Sequence, residues 1–170
     1  LRKAYGNFKY SHASIMYNAL EEIPQLKKLV QIGTRDYSLS ELDYIKKSKN
    51  RVVTYFDRNI KERAYEGETW KRIADEIVEH LPNKVYISFD IDGLDPKLCP
   101  NTGTPVQGGF ETQQVYYLFR KIIASGRQLI GFDLNEVGIS LNEWDENVGA
   151  RVLFKLCNLL IASNEKYGTV

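Results

Sequence analysis

The segment Ser88-Phe89-Asp90-Ile91-Asp92-Gly93-Leu94-Asp95-Pro96 sets two carboxylates two residues apart at the end of an apolar run, Val85 to Phe89. On an extended backbone, residues i and i+2 point to the same side, so Asp90 and Asp92 face one site. Two like charges that close each resist ionisation unless a cation lies between them. Hard oxygen ligands of this kind suit magnesium or manganese. A structural reading stands beside this one, in which one Asp caps the next helix and the other makes a turn with Gly93. Other polar residues carry the same ambiguity. Asp36 and Asp57 read singly as turn or cap residues, His12 as a residue of a first helical turn, Glu136 as a loop ion-pair partner and Thr104 as a turn residue before Pro105. Asp95 before Pro96 reads as structural, holding its loop by Asx-type hydrogen bonds.

The elements that position these residues alternate. Leu29 to Gly33, Arg51 to Phe56, Val85 to Phe89 and Leu129 to Leu134 are short, β-branched or aromatic runs bounded by turn residues, and they predict strands. Ser11 can cap a helix to about Glu22, ended by Pro24, and Ser38 with Glu41 forms a capping box before Leu42. Thr69 to His80 and Thr112 to Ser125 repeat apolar residues at helical spacing, as does the segment from Trp144 to Ser163. Strand–helix alternation implies a parallel sheet covered on both faces, so the fold class is α/β. In such sheets ligands sit beyond the carboxyl ends of the strands, where Asp36, Asp57, Asp90, Asp92, Asp133 and Glu136 all fall. Four strands make a small sheet of this type, a first sign that strands are missing.

Composition narrows the class. The 170 residues suit one domain, and 43% hydrophobic with 26% charged residues suit a globular chain. Lysine and arginine number 23 against 22 acids, a net charge of +1, which gives no general attraction to nucleic acid or an anionic membrane. No apolar run approaches the roughly 20 residues that span a bilayer. Cys99 and Cys157 are not clustered, which argues against a disulfide framework and for a reducing, cytoplasmic compartment. The first residue is Leu1 rather than Met, so the expectation is a processed chain or one that starts part-way through something longer.

The longer string around the Asp pair, with Thr102-Gly103-Thr104-Pro105 and Gly108-Gly109 after it, resembles the signature of the ureohydrolases, the arginase/agmatinase/formimidoylglutamase family. Gly131-Phe132-Asp133-Leu134-Asn135-Glu136-Val137 is similar to the family's next strand, Ser11-His12-Ala13-Ser14 to the segment with its active-site histidine, and Val30 to Asp36 to another strand and turn. Haloacid-dehalogenase-type phosphatases also place Asp-x-Asp after a buried strand. They normally follow it with Thr near the start of the chain, whereas here Leu94 follows mid-chain.

The resemblance implies a three-layer α/β/α fold with a mainly parallel sheet, of which residues 1–170 would be the C-terminal half, a ureohydrolase domain that is N-terminally incomplete. It implies a dinuclear-manganese hydrolase in which hydroxide attacks the carbon of a linear amidine or guanidine, such as agmatine, formiminoglutamate or an arginine-like compound. Urea or formamide and an amine would be released. By the same resemblance Asp90 and Asp92 would be metal ligands. Glu136 would pair with the substrate cation, Thr104 would line the site, and His12 would carry a proton to the leaving amine. The family's remaining ligands lie in an Asp-Ala-His-x-Asp motif just upstream of the His12 segment, and the sequence begins at Leu1-Arg2, as if just after it. His12 and His80 are the only histidines, and His80 reads as a surface residue at a helix end. The expected partners are therefore a small cationic amidine and either a homo-oligomer or the missing N-terminal half, with neither nucleic acid nor membrane. The alternative is a non-catalytic fragment or assembly module.

Overall fold

Each predicted strand forms within two residues of its apolar run: β1 (Leu29–Thr34), β2 (Val52–Phe56), β3 (Lys84–Asp90) and β4 (Gln128–Asn135). The computed structural model describes residues 1–165. Helices separate the strands: α1 (Ile15–Glu22), α2 (Leu39–Lys47), α3 (Asp57–Tyr65), α4 (Trp70–Glu79), α5 (Thr112–Ala124) and α6 (Trp144–Glu165). Local chemistry sets their ends. The Ser38 amide donates to Glu41 Oε2 at 2.7 Å in the capping box of α2, and Thr69 Oγ1 accepts the Arg72 amide at 3.3 Å at the start of α4.

The strands do not join into one sheet. β1 pairs with β2 in parallel from Leu29↔Val52, β3 pairs with β4 in parallel through Asp90↔Asn135, and the two pairs form separate two-stranded sheets. One core nevertheless holds both. Tyr55 of β2, Val85 and Ile87 of β3 and Leu129 of β4 share it with Ile73 and Ile77 of α4, Leu118 and Ile122 of α5, and Val152 and Leu156 of α6. The helical contributors recur at three- and four-residue spacing, so each helix turns one apolar stripe to the strands.

The layering differs between the sheets. Behind β1–β2, Leu20 of α1 and Val52 are buried outside the main core, and Arg51 Nη2 donates to the Leu20 carbonyl at 2.7 Å, so this pair is covered on both faces. β3 alternates strictly: Val85 and Ile87 are buried while Tyr86 and Ser88 are exposed. Ile130 of β4 is exposed as well, so the β3–β4 pair is covered on one face. Coverage of the whole sheet on both faces, expected from strand–helix alternation, therefore holds for half of it.

Two further expectations change. Asp57 is the first residue of α3 rather than a loop acid. Its helix carries few apolar residues, Ile60 being its buried one, and Lys61 closes an i,i+4 ion pair on Asp57 at 3.1 Å. The Ser11 cap leads first into a single 3-10 turn, His12–Ser14, before α1 begins. Cys157 lies on the exposed side of α6, whereas Cys99 is buried and its thiol donates to the Ile91 carbonyl at 3.1 Å. No helix among the described residues is long and apolar enough to cross a membrane.

Because Leu156 is fully buried and Phe154 is 70% exposed two residues away, the two separate core from surface on one helix. Leu156→Ala is expected to lower unfolding free energy by about 3 kcal/mol in urea titrations. Phe154→Ala should change it by less than about 0.5 kcal/mol.

Candidate functional site

The register of β3 against β4 sets Asp90 opposite Asn135, so Glu136 leaves β4 beside the Asp-x-Asp segment. The segment is not wholly extended. β3 stops at Asp90, and Ile91–Gly93 is a 3-10 turn in which the Asp92 amide donates to Asp90 Oδ1 at 3.1 Å. The sequence reading placed both carboxylates on one side by strand alternation. Here the turn does that work, combining the cap reading and the cation-site reading in the same residues.

Three carboxylates share the site with one guanidinium, that of Arg35, whose Nη2 lies 3.9 Å from Asp92 Oδ1. Asp90 retains exposed surface, yet desolvation of its carboxyl, followed by the like charge of Asp92 and then of Glu136, pushes its pKa up to about 7. Since the group is not sealed from water, the repulsion among the three acids is the firmer cause. Glu136 also adopts a left-handed backbone, φ 59°, which a side chain other than glycine takes at a cost of roughly 1 kcal/mol.

The loop from Ile91 to Phe110 that carries the Asp pair is held from the neighbouring sheet. Arg35, just past β1, donates through Nη2 to the Asp92 carbonyl and through Nη1 to the Leu94 carbonyl at 3.4 Å. Lys61 donates to the Gly109 carbonyl at 2.7 Å and is itself paired to buried Asp57. Asp95 accepts the Lys97 amide at 3.0 Å, the Asx-type contact expected of it. Arg35 and Lys61 were not singled out from sequence. The usable signal was a cation placed at or just beyond a strand's carboxyl end, where loops bearing acids converge.

Of the five site residues expected from sequence, Asp90, Asp92 and Glu136 come together. Thr104 is exposed on the same loop, and a Cβ built on its neighbour Gly103 would come within 3.3 Å of Glu136 Oε2. His12 is exposed in its 3-10 turn, with its ring 5.3 Å from that of Tyr5, and no contact joins it to the three acids among the described residues. His80 is the exposed C-cap residue of α4. Among the described residues no group of three or more His, Cys, Asp or Glu is arranged to hold a metal ion. Asp90 and Asp92 fit as two oxygen ligands of a divalent cation, and they do not by themselves complete a dinuclear centre.

Comparison with known proteins gives the class. Residues 1–158 match the model of the arginase family, and the chain belongs to that family. It is 34% identical over 151 residues to the N(1)-aminopropylagmatine ureohydrolase of Thermus thermophilus, covering 88% of this chain and 47% of that one. It is likewise 34% identical over 122 residues to arginase-1 of Bos taurus, covering 72% and 37%. Proclavaminate amidino hydrolase from Streptomyces clavuligerus superposes with a TM-score of 0.78 at 25% identity, over 95% of this chain and 52% of that one. The chain thus spans less than half the length of these two curated relatives.

The crowding of Asp90 has a consequence for stability. Its pKa is about 7 in the fold against an ordinary value of 3.8, so the native state binds the extra proton between those values. Stability of the metal-free chain from this group is therefore fullest below about pH 4 and falls as pH rises through 7. Asp90→Asn should raise the Tm at pH 7.5 by on the order of 2 °C, the shift being damped by solvent at this exposed group, with no gain at pH 4. Thermal melts at the two pH values read this directly. An equal shift at both would mean that the repulsion is absent.

Proposed function

We propose that this chain supplies the acidic half of a dinuclear-manganese hydrolase that cleaves a linear amidine or guanidine to an amine and either urea or formamide. The convergence of Asp90, Asp92 and Glu136 beyond the carboxyl ends of β3 and β4 is the observation that carries the reading. Three acids gathered around one counter-charge, Arg35 at 3.9 Å from Asp92 Oδ1, leave an excess of negative charge that serves cations: one divalent ion at the Asp pair, and a delocalised organic cation at Glu136. The guanidino and amidino substrates in the names of the related enzymes agree with such a cation.

In this mechanism Asp90 and Asp92 would hold manganese, which when bound would supply hydroxide by lowering the pKa of water toward neutral pH. Glu136 accepts hydrogen bonds from the amidinium, fixing its carbon and offsetting its charge. The left-handed backbone of Glu136 turns the side chain out of the strand direction and suits it to a site beyond the edge. Thr104 lines the same site from the Gly103 side. His12, exposed in its 3-10 turn, would be the proton donor to the leaving amine. Agmatine, formiminoglutamate and arginine-like compounds all present the required cation.

A second reading has its own observation. Two parallel sheets that share one core but not one hydrogen-bonded ladder, with the outer face of β3–β4 exposed, suit a module completed by another polypeptide segment or a further copy. That segment would bring the remaining metal ligands.

With manganese present, the chain is assayed for urea or formamide release from agmatine, formiminoglutamate and arginine. Turnover that falls by at least about 100-fold in Glu136→Gln, as loss of a charge-assisted substrate contact implies, supports the hydrolase. Turnover indifferent to that substitution refutes the role of Glu136. No turnover, together with an unfolding midpoint that rises with protein concentration, supports the module.

A further inference from the structure

Glu136 is held in its left-handed backbone from outside its own strand. Two residues on, Gly138 lies so close to the next loop that a Cβ there would overlap the Asn101 carbonyl. Between them, Val137 sits over Gly149 of α6, where a Cβ would come within 2.9 Å of the valine side chain. The stretch 136–138 is thus wedged between the Asn101–Gly103 loop and α6. What fixes that loop is Asp145, in the first turn of α6 and fully buried. Asp145 Oδ2 accepts the Asn101 backbone amide at 2.9 Å and Oδ1 accepts Asn101 Nδ2 at 2.8 Å. Beside it Thr102 is 6% exposed, and its hydroxyl has no hydrogen-bond partner among the described residues. A short polar loop does not bury an unsatisfied hydroxyl unless something stronger holds it in place.

We propose that Asp145 is a positioning residue for the Glu136 site, acting through Asn101 to press the 101–103 loop against Glu136–Gly138 and so to set the direction of the Glu136 carboxylate. The proposal rests on the reading of Glu136 as the acceptor of the substrate cation. A buried acid with two matched donors is a rigid anchor: its oxygens have no other partner to exchange with and no water to turn toward. It lies at the N-terminal end of α6, where the helix dipole favours its charge. The hydrogen bonds of the Asp145 side chain go to Asn101 and none goes to Asp90, Asp92 or Glu136 among the described residues, so its effect on the site passes through the loop.

The pair can be exchanged, which gives the test. Asp145→Ala removes both acceptors and leaves the Asn101 amides without partners, a loss that no flip of the Asn101 side chain can repair. Asn101→Asp with Asp145→Asn keeps both bonds with the roles exchanged, since the new amide accepts from the residue 101 backbone and donates to its carboxylate. The full chain is compared as parent, Asp145→Ala, Asn101→Ala and the double exchange, by amide NMR shifts and hydrogen exchange. Expected in Asp145→Ala are shifted Glu136 and Val137 amides and exchange at Gly103 faster by about 10-fold, with β3 and α5 unchanged and the double exchange returning to the parent. Asn101→Ala keeps the backbone bond and should show the same pattern more weakly, which covers the case in which Asp145→Ala does not fold. Changes confined to residues 101 and 145, or a double exchange that fails to restore Glu136, overturn the proposal. Agmatine added to the parent and the double exchange separates the two claims. If it leaves the Glu136 amide unmoved while the clamp pattern holds, the substrate role of Glu136 fails and the loop anchor stands.

Discussion

Parallel pairing of β3 and β4, which shifts by one residue after Val85 and then holds one register from Tyr86↔Gly131 to Asp90↔Asn135, is the constraint on which the site depends. With Asp90 opposite Asn135, both strands end at the same level, and the residues that follow them are forced to share one small region. A slip of one residue would send Tyr86 and Ser88 into the core and turn Val85 and Ile87 to solvent, so the buried face of the sheet locks the acids in place. The core helices that bury Ile87 and Leu129 therefore also decide where Asp90 and Glu136 meet.

The arrangement is unfavourable to the chain on its own. Three acids crowd together, one takes a left-handed backbone, and the loop between them is pinned by cations and a buried aspartate drawn from three other elements. None of these features helps the core. They are consistent with the proposed cation site, whose groups would be oriented before a ligand arrives. The separation of the two sheets and the open face of β3–β4 point the same way: this stretch of chain builds one side of a site with care and leaves its own layers incomplete.

Much of this was legible in the sequence. Four strands and five of the six helices follow from apolar periodicity and caps, because their stripes are strong and their ends carry Ser, Thr or Glu. α3 was missed because Asp57–Tyr65 has one buried apolar residue and is held by charge pairs and by its place after β2. Asp90 and Asp92 were legible as an Asp-x-Asp pair at a strand end, and Glu136 through the resemblance of its strand to the family's motif, since read singly it is a loop ion-pair partner. Arg35, Lys61 and Asp145 were not, since each acts on a backbone carbonyl or amide distant in the chain, and such contacts leave no local pattern. The division into two sheets was equally hidden: strand propensity says that strands form and says little about which edges meet.

The most direct test of the central claim, that the edge of β3 and β4 is a cation site, is manganese binding to the purified chain. Metal content is followed by elemental analysis across a titration, in parallel with Asp90→Asn. Saturable binding of at least about one ion per chain that is lost in the variant is the result expected from two carboxylate ligands. Binding that is absent, or that the substitution leaves unchanged, would contradict the account and return Asp90 and Asp92 to the role of a cap and a turn.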